Sequence, residues 1–145
     1  MTIYTIGFTK KSAEDFFEAL RQSRAKHLLD IRLHNTSQLA GFTKRENLQY
    51  FLKQIVNMEY HEVLILAPED SFLNEYRKTG DWARFERSYL DLLQQRQVER
   101  YIESAWFEEG AVLLCSETSP DHCHRRLAAE YLIHAMLPRA TIEHL

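Results

Sequence analysis

Apolar positions in this chain fall into two rhythms, and the alternation between them predicts the architecture. Ile3-Tyr4-Thr5-Ile6-Gly7-Phe8 is β-branched and apolar and reaches a glycine, as a strand entering a tight turn does. Ser12, followed three residues later by Asp15, resembles a capping box. Phe16, Phe17 and Leu20 then recur at helical spacing, which predicts a helix over about 12–24. His27-Leu28-Leu29-Asp30-Ile31-Arg32 is a short apolar run ending in charge, the pattern of a buried parallel strand that delivers polar side chains from its C-terminal end. Leu33 to Phe42 is polar and contains Asn35, Thr36, Ser37 and Gly41, so a long loop is expected. Thr43 and Glu46 form a capping box for a helix with Leu48, Phe51, Leu52 and Ile55 on one face.

A third strand is expected at Glu62-Val63-Leu64-Ile65-Leu66-Ala67, stopped by Pro68. The middle of the chain reads as helical. A short helix near 69–78 ends at Gly80, and Asp81 opens a longer one carrying Trp82, Phe85, Tyr89, Leu92 and Leu93. A further helical piece, broken near Gln97, carries Val98, Tyr101, Ile102 and Ala105. Ala111-Val112-Leu113-Leu114-Cys115 is a continuous apolar strand of the kind found in the middle of a covered sheet. Ser116 to His122 is a loop, Leu127, Ala128, Tyr131 and Leu132 mark a helix, and Ala140 to Leu145 a last strand.

The order β-α-β-α-β-α-α-β-α-β implies a three-layer α/β domain, with a mostly parallel sheet of about five strands and helices on both faces. Neither a repeat nor a linker interrupts the 145 residues, so one domain is expected over 1–145. Such sheets bind ligands beyond the carboxyl ends of their strands. Those ends are Gly7-Phe8-Thr9, Asp30-Ile31-Arg32, Ala67-Pro68-Glu69 and Cys115-Ser116-Glu117.

Composition narrows the function. No apolar run approaches the roughly 20 residues that span a bilayer, and the N-terminus lacks the features of a signal peptide, so a cytoplasmic protein is expected. A net charge of −3 argues against a general nucleic-acid binder. The alternative of a nucleic-acid or nucleotide binding module would use Lys10, Lys44 and Arg45 at the rim. The two cysteines, Cys115 and Cys123, are not expected to form a structural disulfide in a reducing compartment, and so short a loop gains little from closure.

Cys115 to Arg126 holds the densest chemistry. In one reading, Ser119 or Asp121 caps the following helix and sets Cys123, His124 and Arg125 in its first turn. The helix dipole and the Arg125 charge would then lower a thiol pKa, and the free backbone N–H groups would attract an anion. In a second reading, Cys115, Glu117, His122, Cys123 and His124 offer ligands to a transition metal, although their spacing matches no standard finger. In the third, Cys115 is a small buried hydrophobe, Glu117 pairs with Arg125 and His124 caps a helix. Asp30 and Arg32 allow either a mutual ion pair, or an Arg32 clamp on an anion with Asp30 as orienter or base. Phe8, Phe42, Tyr76 and Trp82 could line the pocket, and His27, His61, His134 and His144 carry no functional expectation.

Together, Thr5-Ile6-Gly7-Phe8, Leu29-Asp30-Ile31-Arg32 with Ser37 downstream, Leu113-Leu114-Cys115-Ser116-Glu117 and Cys123-His124-Arg125 resemble the domain of unknown function 488 family over nearly the whole chain. Phe8 stands where many relatives carry His. The resemblance implies a small bacterial or archaeal α/β protein and brings no activity with it. The expectation is therefore an enzyme or enzyme-like protein, a thiol-dependent hydrolase or transferase, that binds an anionic small molecule and needs no cofactor. Cys115, Glu117, Cys123, His124 and Asp30 would carry the chemistry, and Arg32, Arg125, Ser37, Gly7 and Thr9 would contact the ligand.

Overall fold

The structure, a computed structural model, describes residues 1–36, 41–116 and 121–145. Its elements are β1 (Thr2–Gly7), α1 (Ala13–Ser23), β2 (His27–Asp30), α2 (Arg45–Phe51), β3 (Glu59–Glu62), α3 (Asp70–Thr79), α4 (Trp82–Arg96), α5 (Ser104–Glu109), β4 (Ala111–Cys115), α6 (His124–Met136) and β5 (Thr141–His144). The five strands lie in the order β3-β2-β4-β1-β5, and every pairing is parallel. The expected three-layer α/β architecture is therefore present.

Side-chain alternation along the strands sorts the core into two layers. Leu28, Val112, Leu114 and Ile6 face α1 and α2, where Phe16, Phe17, Leu20 and Leu48 meet them. Leu29, Leu113 and Ile3 face the other way, onto Phe85, Tyr89 and Leu93 of α4 and Leu127, Ala128 and Leu132 of α6. The connections explain this division. The chain steps toward one edge from β1 to β2 to β3, then reverses through β4 to β5, and right-handed crossovers put the two sets of helices on opposite faces. β4 is thus central, with its neighbours' connections leaving on the opposite face from its own. Among the described residues no helix is long and apolar enough to cross a membrane.

Local signals set most boundaries. Ser12 caps α1, its Oγ accepting from Asp15 N–H at 3.1 Å. Gly80, at φ 69°, closes α3, and Asp81 caps α4 by accepting from Arg84 N–H. Other expectations need correction. The third strand is Glu59–Glu62, half-exposed at the sheet edge, and the apolar run read as a strand is instead a 3-10 turn at Leu64–Leu66. Leu66 is the buried residue of that turn, and α4 holds it: Tyr89 Oη donates to Leu66 O, and Arg96 donates to Ile65 O and Ala67 O. Lys44, not Thr43, occupies the N-cap of α2, because Thr43 is turned into the interior. The helix then continues as a π turn over Leu52–Val56. Gln97, at φ 51°, ends α4. The expected helical piece beyond it divides into a 3-10 turn at Val98–Arg100 and the short α5.

One glycine carries a steric constraint on the sheet. Gly110 has φ 99°, and its carbonyl accepts from both Lys26 and His27 N–H where β2 and β4 begin side by side. A Cβ there would stand 2.9 Å from Ala25 Cα. Gly110→Ala should therefore lower unfolding stability by about 2 kcal/mol or more, measured as a fall in the urea midpoint at unchanged m-value.

Candidate functional site

The site grows out of the end of β2. Asp30 is the last residue of that strand and wholly buried, so its carboxylate needs partners. Arg32 supplies two: Nε donates to Oδ1 at 2.8 Å and Nη2 to Oδ2 at 2.9 Å, a bidentate ion pair, while Tyr60 Oη donates to Oδ2 at 2.6 Å. Burial, and after it the bond to Asp30, holds the Tyr60 hydroxyl well above its ordinary pKa. Arg32 Nη2 also donates to Thr43 O at 2.7 Å, which pins the chain entering α2, and the Phe8 ring lies over the guanidinium at 5.4 Å. Of the two alternatives for Asp30 and Arg32, the structure thus has the ion pair.

Between these two residues, Ile31 reaches toward β4 and α6. Its N–H donates to Leu114 O, and its carbonyl lies 2.7 Å from His124 Nε2. A carbonyl only accepts, so Nε2 carries the hydrogen and Nδ1 presents a lone pair. That Nδ1 is 3.3 Å from Cys115 Sγ. Burial, helped by the charge of Arg125 and opposed by the Ile31 bond, pushes His124 down to about 4, so the ring is neutral near pH 7.

Cys123 rather than Ser119 or Asp121 is the N-cap of α6, with an extended backbone and no side-chain capping bond. This position turns its sulfur toward the end of β4, and Cys115 and Cys123 are joined as a disulfide. The expectation of two unpaired thiols is corrected here. A separation of eight positions in the sequence hid the fact that the strand end and the helix start meet at the rim.

Above these groups opens a cavity of about 850 Å³. Phe8 and Thr9 after β1, Arg32 after β2, Pro68 after the 3-10 turn, and Cys115 and Ser116 after β4 all line it, so each predicted strand end contributes. Phe42, Tyr76, Trp82 and Phe85 form aromatic walls, with His122 stacked on Trp82 at 5.1 Å between centroids. Lys10, Lys11, Arg32 and Arg77 line it too, and no Asp or Glu does among the described residues. Lys11 titrates below its ordinary value, first through burial and then through the charge of Arg125.

The expected site residues separate into three groups. Cys115, Cys123, His124, Arg32 and Thr9 meet at the cavity. Asp30 and Arg125 are completely buried and Gly7 is buried within β1; none of the three lines it. The charge of Arg125 acts on Lys11 and His124 from within the protein. Of the rim cations, Lys10 lines the cavity, whereas Arg45 donates to Glu62 and Lys44 caps α2. Ser37, Glu117 and Ser119 lie outside the described residues. Sequence reasoning missed Tyr60, Arg77 and the Ile31 carbonyl. A tyrosine two residues before an expected strand, and a backbone oxygen, give no sequence signal.

The fold and this rim define a doubly wound α/β protein with a buried Cys–His pair beneath a cation-lined cavity. The chain belongs to the family described as Domain of unknown function DUF488, whose profile matches residues 12–132 of the 145. Neither a curated protein nor a solved structure matches it significantly.

Two outcomes follow from the buried charges. Arg32→Met should cost about 3–5 kcal/mol in chemical denaturation, because it leaves the Asp30 carboxylate buried without its counter-ion. His124 has a folded pKa below its unfolded value, so the unfolded state binds more protons between about pH 6.5 and 4, and stability falls as pH drops through that window. His124→Gln should flatten the profile by roughly 3 kcal/mol relative to wild type between pH 7 and 4, read from urea midpoints.

Proposed function

We propose that this protein is a thiol-dependent hydrolase or transferase that binds a small anionic substrate in the rim cavity and reacts through Cys115. The observation that carries the proposal is His124, held between the Ile31 carbonyl and Cys115 Sγ with its lone pair toward the sulfur. Nucleophilic cysteines need a neighbouring base oriented by a third group, and this ring is neutral, buried and aimed by a backbone bond. The substrate class rests on the lining. Lys10, Lys11, Arg32 and Arg77 face the cavity without a described carboxylate, in a protein of net charge −3. The aromatic walls suit an anion attached to a flat or apolar group.

The working form has the disulfide reduced. A thiol reductant of the glutathione or dithiol class supplies two electrons and two protons, leaving Cys115 and Cys123 as thiols. Cys115 then passes its proton to His124 Nδ1, and the thiolate attacks the electrophilic centre of the substrate. The leaving group takes the proton back from His124, and water or an acceptor releases the group from sulfur. When a peroxide oxidises the Cys115 thiolate to a sulfenic acid, the Cys123 thiol attacks that sulfur, water leaves and the disulfide closes again, so the pair doubles as protection of the nucleophile.

In the reduced protein near pH 7, iodoacetamide should label Cys115 before Cys123, located by peptide mass spectrometry. His124→Gln should slow that labelling about tenfold or more. Phosphate or sulfate should protect, and Lys11→Gln should weaken the protection. Both thiols remaining unlabelled up to about pH 9, above the ordinary thiol pKa, would defeat the reading. Strong, salt-sensitive binding of nucleic acid by a Cys115→Ser variant would favour a binding module without catalysis.

A further inference from the structure

At the opposite end of the sheet, where β2 and β3 begin, three side chains converge that the rim chemistry does not use. His27 and Glu59 are directly paired in the parallel register, and His61 lies two residues further along β3, so all three project from the same face. His27 Nδ1 is 2.9 Å from His61 Nε2, and Glu59 Oε2 stands 3.8 Å and 3.9 Å from those two nitrogens. Donor atoms bound tetrahedrally to Zn²⁺ at about 2.0 Å are roughly 3.3 Å apart, so a small shift of any ring would place an ion between them.

The surroundings are those of a ligand shell. His27 is buried, and its other nitrogen, Nε2, makes no hydrogen bond but points to Glu109 Oε1 at 3.5 Å, as a metal-bound imidazole points to an orienting carboxylate. His61 is stacked on Trp106 at 4.4 Å between centroids, which restrains its ring. Glu59 is 64% exposed, so the fourth direction opens to solvent. Strand register, rather than a flexible loop, holds the two histidines.

We propose that His27, His61 and Glu59 form a binding site for one borderline divalent cation of the Zn²⁺, Co²⁺ or Ni²⁺ class, with Glu109 orienting His27 and water completing the coordination. Two imidazoles and one carboxylate are a donor set for such ions, while Mg²⁺ and Ca²⁺ prefer oxygen. The site is independent of the cysteines and stands or falls apart from the proposed activity.

The test is Zn²⁺ titration by calorimetry into the Cys115→Ser/Cys123→Ser double variant, which removes the thiols as ligands. One ion per chain is expected. His61→Ala, at a half-buried edge position, should weaken binding about tenfold or more, and Glu109→Gln should weaken it by less. Circular dichroism should stay that of the parent, which separates loss of a ligand from loss of fold. With Trp82→Phe added, Trp106 is the sole tryptophan, and Ni²⁺ should quench its fluorescence at one equivalent. Co²⁺ should give d–d bands in the double variant. Absence of stoichiometric Zn²⁺ binding there, or binding unchanged by His61→Ala, would overturn the proposal.

Discussion

The bidentate pair between Asp30 and Arg32 ties the end of β2 to β3 through Tyr60 and to the chain entering α2 through Thr43. A carboxylate with no exposure at the end of a central strand is tolerable only with its charge matched and its lone pairs occupied, and Arg32 and Tyr60 meet both conditions. The same guanidinium then secures Thr43 O, so the loop into α2 is fixed by a bond that exists only because Asp30 is buried. Ile31, held between the paired residues, presents its N–H to β4 and its carbonyl to His124. The stabilising interaction and the chemistry of the site therefore share one tripeptide. A change at Asp30 would be felt at the tautomer of His124.

The rim separates two electrostatic tasks. Beneath the pocket, burial and after it the charge of Arg125 keep His124 neutral and lower Lys11, while Asp30 is matched by Arg32. Partly exposed cations, Lys10 and Arg77 among them, face the cavity where an anion would enter. This division explains why Arg125, in the Cys-His-Arg segment that looked most like a ligand clamp, is fully buried. The α6 N-cap and the end of β4 converge on the buried side of the rim, so the residues just after Cys123 turn inward with the helix.

Much of the architecture was legible because it rests on local periodicity. The run Ala111–Cys115 is apolar at every position because β4 is covered on both faces and flanked by β2 and β1. Helices α1, α3 and α4 announced themselves through Ser12, Gly80 and Asp81, whose side chains or backbones satisfy groups within a few residues. The same logic failed at β3. An apolar run bounded by proline reads as a buried strand, yet Leu64–Leu66 is a 3-10 turn in which Leu66 packs under α4 and Leu64 is exposed, and the true edge strand carries Glu59, His61 and Glu62. Burial and strand character coincide only when the sheet, rather than a helix, does the covering.

From sequence alone came the alternation of strands and helices, the parallel sheet and the ends of β1, β2 and β4 that border the cavity. Each of these follows from residues close together in the chain. The tertiary structure decided the rest: that Cys115 meets Cys123, that Ile31 aims His124, and that His27, Glu59 and His61 share a face. Those meetings depend on strand order and register, set by how two helical layers pack across a reversing sheet. No spacing within a single segment encodes which strand will be its neighbour.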